Sequence, residues 1–264
     1  MSIRPAAVAG TFFSADPRKL RRQIEGWLGT PARPKARALG VMVPHAGYIY
    51  SGEVCARALA SVEIPQSVLI LHTKHQAGGA MLSLATFDAW ETPLGEVNAD
   101  AELAAALGRV EGIVASNAPH TREHAAEVVL PFLRLLREDL RIAVISVGPQ
   151  DADTLQAVAR AMAPALAHTL LVASSDMNHY ESHEVTLAKD NLALERLAAF
   201  DPEGLLNVCV DHDISMCGAA ATALMLFAAR ELGARRVELL EHTTSGPASG
   251  DFDQVVGYAS ARVM

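Results

Sequence analysis

Short, almost wholly apolar runs, each too brief to be a buried helix and each followed by a longer amphipathic stretch, most constrain what this chain can become. Residues 67–71 (SVLIL), 142–147 and 170–173 are of this kind. Such runs read as strands buried on both faces, because a strand with one wet face alternates polar and apolar residues. Further strands are expected at 38–43, bounded by Pro44, and at 81–87, 237–240 and 255–261. Helices are expected between them. Asp16-Pro17 caps a first helix with Leu20, Ile24 and Trp27 at helical spacing and Gly29 at its end. A Pro-rich linker (30–37) follows. Later helices are expected over 52–62, 101–107 capped by Asp100, 123–136 despite Pro131, 152–167, 183–200 and 219–232.

This alternation predicts a single α/β domain over residues 1–264: a central, mostly parallel or mixed sheet with helices on both faces. In such a sheet, function gathers at the carboxyl ends of the strands. Half of the 264 residues are hydrophobic, which is ample for a core and excludes a disordered chain. The balance of 22 Lys and Arg against 30 Asp and Glu gives −8 and argues against nucleic acid or an anionic membrane as a partner. A small molecule is expected instead. The apolar stretch 219–229 is short of the roughly 20 residues that a membrane helix requires. Cys55, Cys209 and Cys217 form no CxxC pair and no disulfide framework, and the N-terminus carries no export pattern, so a cytoplasmic protein is expected.

There is no GxxxxGK(S/T), no GxGxxG after a strand, no GxSxG and no HExxH. Polar groups instead follow the apolar strands directly. Pro44-His45-Ala46-Gly47 follows the first, His75 follows the second, and Ser174-Ser175-Asp176-Met177-Asn178-His179-Tyr180 follows the strand at 170–173. If these strands are parallel neighbours, His45, His75 and His179 meet in one crevice, and convergent imidazoles suit a divalent metal. Cys217 precedes a strongly apolar helix, whose free N–H groups are expected to favour its thiolate. Two histidines and a thiolate suit zinc, iron or copper better than magnesium or calcium.

These residues also carry a resemblance. Arg4 to Phe13 (RPAAVAGTFF), Pro44 to Gly52 (PHAGYIYSG), Thr92-Pro93-Leu94-Gly95, Glu123-His124-Ala125-Ala126-Glu127, Ser174-Ser175-Asp176 with His179-Tyr180, Met216-Cys217-Gly218 and Val256-Gly257-Tyr258-Ala259-Ser260 occur in this order along the chain. They resemble the Memo family, whose microbial members are called AmmeMemoRadiSam system protein B. The resemblance implies a fold similar to the class III extradiol-type non-heme iron dioxygenases. It also implies a mononuclear metal held by His45, His75 and Cys217, with His179 as acid/base and Asp176 orienting it. His124 and Glu127 would support the ligands.

Iron is the first expectation for the metal, with copper or zinc as alternatives, and metal-dependent redox or oxygen chemistry is the expected activity. Partners of the AMMECR or radical SAM type are implied by the same resemblance. A non-catalytic scaffold and a metal-dependent hydrolase are the competing readings. Two departures stand out: His72-Thr73-Lys74-His75 replaces the usual Gly-Pro-Asn/Ser-His, so His75 is chosen over His72 by position alone, and Ala219-Ala220-Ala221 follows Cys217-Gly218 where Arg and Pro are common.

Overall fold

The structure, a computed structural model, describes residues 1–29 and 31–264; Thr30, at the start of the expected linker, lies outside them. The strands are β1 (Ile3–Arg4), β2 (Gly40–Val43), β3 (Ser67–Thr73), β4 (Leu82–Leu84), β5 (Ala89–Trp90), β6 (Val97–Ala99), β7 (Ile113–Ala115), β8 (Arg141–Val147), β9 (Thr169–Ser174), β10 (His179–Glu181), β11 (Val237–Thr244) and β12 (Val255–Val263). They join in one mixed sheet of order β1-β5-β6-β8-β3-β9-β2-β12-β10, with β11 paired to β12 and β4 joining β7 to β8. Its centre, β8-β3-β9-β2, is parallel, and β12 closes antiparallel on β2.

Helices cover both faces: α1 (Pro17–Leu28), α2 (Glu53–Ala60), α3 (Ala101–Leu107), α4 (His124–Glu127), α5 (Leu130–Leu136), α6 (Ala152–Met162), α7 (His183–Ala198), α8 (Pro202–Asp211), α9 (Ala219–Glu231) and α10 (Gly246–Ser249). Successive side chains of a strand point to opposite faces, so each central strand feeds two cores. Leu69 and Leu71 of β3, Ile145 of β8 and Leu171 of β9 join α6, α8 and α9 residues on one face. Val68, Ile70, Val144 and Val172 join Leu20, Ile24, Leu59 and Phe132 on the other. This is the covered α/β sheet that the apolar runs predict.

The departures have local causes. The stretch 123–136 splits into α4 and α5, because Pro131 has no N–H to give and takes the first turn of a new helix. β11 continues past Leu240 through Glu241, His242 and Thr243, since it pairs only with β12 and its other edge tolerates polar residues. A π turn (Tyr48–Gly52) precedes α2, and a Cβ on Gly52 would lie 2.8 Å from the Trp27 ring. No described helix is long and apolar enough to cross a membrane.

The registers bring the site-bearing loops together. Val43 lies beside Ser174, and His72 beside the same Ser174, so β2, β3 and β9 end almost flush. His45, His75 and Asp176 therefore leave the sheet at one edge.

Candidate metal centre

His45 sits two residues past β2 and is buried. Its backbone N–H donates to Asp176 Oδ1 at 2.7 Å, which fixes the loop after β2 to the loop after β9. Ser174 Oγ donates to the Ala125 carbonyl at 2.6 Å and thus accepts from His45 Nδ1 at 2.8 Å. The proton is thereby committed to Nδ1, and Nε2 presents a lone pair 3.4 Å from Cys217 Sγ. Burial, and then the neighbouring His75, lower the His45 pKa to about 3, so the ring is neutral at ordinary pH.

His75 is held in the same way. Its Nδ1 donates to Glu123 Oε1 at 2.8 Å and its backbone N–H to Oε2 at 3.1 Å, leaving Nε2 free. Glu123 also caps α4 through the Ala125 N–H. Burial raises this carboxyl, but the hydrogen bond from His75 and the nearby imidazoles overcome it and hold it well below the carboxylate range. One ligand atom each from His45, His75 and Cys217 lies within 4.8 Å of the others, and His75, Glu123 and His124 form an overlapping second set.

Cys217 differs from the sequence expectation. Burial pushes its thiol far up, and the adjacent Asp176 carboxyl adds to this. The start of α9 does not offset that penalty, so the thiolate needs a cation beside it. The Asp176 N–H reaches Sγ at 3.3 Å, and the Gly218 N–H ties the adjoining backbone to Ser175 Oγ at 2.9 Å. Asp176 itself is buried, which raises its pKa against the opposing hydrogen bond from His45.

The fit of this set to a transition metal follows from its chemistry. Metal-binding imidazoles ordinarily donate the other ring N–H to a carboxylate, carbonyl or hydroxyl, and both rings do so here. The donors are two nitrogens and a sulfur, as zinc, iron and copper prefer.

Two sequence readings change, those of Asp176 and Glu127, and the positions of His72 and Lys74 become visible. His72 faces inward on β3, with Nδ1 on the Thr73 carbonyl and Nε2 against His120 Nδ1 at 3.0 Å, away from the three grouped ligand atoms. Asp176 does not orient His179: the His179 Nδ1 donates to the Ser215 carbonyl at 2.9 Å, and Asp176 holds His45 instead. His124 and Glu127 part company. The His124 ring stacks on His75 at 4.8 Å and 9°, whereas Glu127 points away into a buried ion pair with Arg4 and accepts the Ala7 and Val8 N–H groups. Lys74 turns its ammonium to the Gln76 carbonyl.

Sequence reasoning missed Glu123 as the partner of His75 and Arg4 as the partner of Glu127. The Glu123 signal was its place just ahead of a helix, an N-cap position. Arg4 also donates to the carbonyls of His120 and Glu123, and so braces the loop that carries Glu123. A cavity of about 830 Å³ is lined by His45, His75 and Cys217, and by His124, Asp176 and His179 as well.

A Memo-like protein family model matches residues 4–262. The chain belongs to the Memo-like family. A MEMO1 family protein of Ignicoccus hospitalis is 42% identical, with 99% of each chain covered. Another from Pyrobaculum arsenaticum is 40% identical over 98% of each. Among solved structures, an uncharacterized protein from Escherichia coli K12 has a TM-score of 0.62 at 11% identity, covering 86% of this chain and all of that one, a likeness of fold alone. That likeness agrees with the single-domain α/β architecture described above.

Proposed function

We propose that this Memo-like chain binds one metal ion through His45, His75 and Cys217 and uses it for redox or oxygen chemistry on a small molecule held in the adjoining cavity. The carrying observation is that both imidazoles have Nδ1 engaged and Nε2 left open, grouped with a thiol that burial alone would keep protonated. Iron is the first choice and copper the alternative for this chemistry; zinc, which has no redox chemistry, would confine the site to hydrolysis. A bound iron or copper ion would supply one-electron chemistry and the positive charge that a Cys217 thiolate requires.

The protein side chains have separate tasks. Asp176 and Ser174 hold the His45 loop and ring, and Glu123 holds His75. His179 faces the cavity with Nδ1–H on a carbonyl, so its Nε2 is the nitrogen that accepts a proton from a bound molecule and returns it. The cavity favours a small-molecule reaction over a purely structural metal, since a structural site is closed by protein ligands.

The test is metal content by mass spectrometry on untagged protein purified anaerobically, for the wild type and for His45→Ala and Cys217→Ala. Near-stoichiometric metal, lost in both variants while their melting transitions persist, is the expected result. A wild type that is metal-free and cannot be reconstituted would overturn the reading.

A further inference from the structure

We infer that the cavity in front of the proposed metal site receives a small organic cation, an amine or quaternary ammonium compound, and that Tyr180 is the residue that grips it. The inference deepens the proposed function and rests on it only for calling this cavity the reaction site.

Charge comes first. Phe12, Tyr50, Tyr180 and Tyr258 line the cavity together with Asp176 and Asp251, and no described lysine or arginine lines it. The lysines nearby in sequence are already committed: Lys189 pairs with Glu181 at 2.8 Å and donates to the Asp213 carbonyl, and Lys74 bonds the Gln76 carbonyl. A carboxylate or phosphate would lose its hydration here and meet no described lysine or arginine, so only a bound metal ion could offer it a counter-charge. An ammonium group meets aromatic side chains, which cation–π recognition uses, and the Asp251 carboxylate.

Tyr180 supplies the second, independent observation. On β10, His179 pairs with Val256 and Glu181 with Val255, so Tyr180 is the extra residue of a β-bulge. Its φ is +59°, in the left-handed region where glycine is the ordinary occupant of such a bulge. The residue is 72% exposed, so packing returns little for holding a bulky side chain in that conformation. What the bulge does achieve is to place Tyr180 in the cavity lining, its ring centre 5.7 Å from that of His179. Asp251 is at the same cavity; its Oδ1 accepts the Asp253 N–H at 2.8 Å, which fixes the carboxylate without neutralising it.

The probes are benzylammonium, benzyl alcohol and benzoate, which share a ring and differ in charge. Binding is measured by ligand-observed NMR at fixed ionic strength on metal-free and metal-loaded protein, with metal content read separately by mass spectrometry. Benzylammonium should bind at least tenfold more tightly than benzoate in the metal-free protein, where no ion can ligate the carboxylate. Asp251→Asn should shrink that ratio, Tyr180→Phe should keep it, and Tyr180→Gly should abolish benzylammonium binding while melting no lower than wild type. Equal or tighter benzoate binding, or full benzylammonium binding by Tyr180→Gly, overturns the inference. Metal uptake without this selectivity refutes the inference and spares the proposed function; selectivity without metal uptake does the reverse.

Discussion

Gly218 is where a single methyl group tests the geometry most sharply. It precedes α9 at φ −100°, a conformation open to any residue, so alanine there adds no backbone strain. The added Cβ would lie 2.5 Å from Ser175 Cβ and 2.7 Å from both the Ser174 carbonyl oxygen and Ser175 Oγ. Ordinary carbon contact needs about 1 Å more. The two loops must therefore separate by about that distance, and Cys217 moves with its neighbour, away from His45 and from the Asp176 N–H. Metal–ligand distances tolerate only about 0.2 Å. Gly218→Ala is expected to lower metal affinity by about 10–100-fold, the scale seen when a ligand loses its support. It should also lose about 1–3 kcal/mol of stability through overpacking. Competition titration against a chromophoric chelator reads the first effect and a thermal melt reads the second. Wild-type affinity with an unchanged melting temperature would show that Cys217 does not depend on this close approach, and the ligand geometry argued here would fail.

Other outcomes follow from the same contacts. Gly26 lies mid-helix in α1 with nothing near its absent Cβ, so Gly26→Ala should stabilise by about 0.5–1 kcal/mol in urea unfolding; a loss would contradict the open space there. Glu127→Ala leaves Arg4 buried without its partner and the Ala7 and Val8 N–H groups unbonded, and should cost about 3–5 kcal/mol. The double change Arg4→Met with Glu127→Leu should recover much of this; no recovery would show that the charge pair itself is required. Folding lowers the pKa of His45 and His120 to about 3 and of His124 to about 4, against 6.5 in the unfolded chain. Below pH 6.5 the unfolded state then binds more protons, so stability of the metal-free protein should fall on acidification, by up to about 1.4 kcal/mol per pH unit for each histidine. A melting temperature that is flat from pH 6.5 to about 5 would refute this.

What the sequence made legible was local. β3, β8 and β9 could be read because burial on both faces writes an unbroken apolar run, and α1 and α3 because Asp16 and Asp100 cap them with side-chain bonds to nearby N–H groups. Strands of two or three residues, such as β1, β5 and β6, write no period and went unread, as did α8, whose Gly204 interrupts the pattern. The choice between His72 and His75 turned on where β3 ends: it runs to Thr73, which places His72 inside the sheet and His75 beyond it. The partnership of Arg4 with Glu127 spans 123 positions and has no local signature. The expectation of a favoured Cys217 thiolate failed for another reason, since the helix start was visible but the desolvating surroundings and the Asp176 carboxyl beside the sulfur were not.

β12 comes after every other described strand in the chain, yet it lies between β2 and β10 in the sheet and carries Tyr258 to the cavity wall. A chain still emerging from the ribosome therefore has His45, His75 and Cys217 already made while one edge of β2 is open and the cavity lacks a side. Local helices can form early, but this closure joins residues more than 200 positions apart and must wait for them. A metal held by His45, His75 and Cys217 would accordingly be captured only after β12 has closed the sheet, so that newly made apoprotein would be the form any delivery system meets.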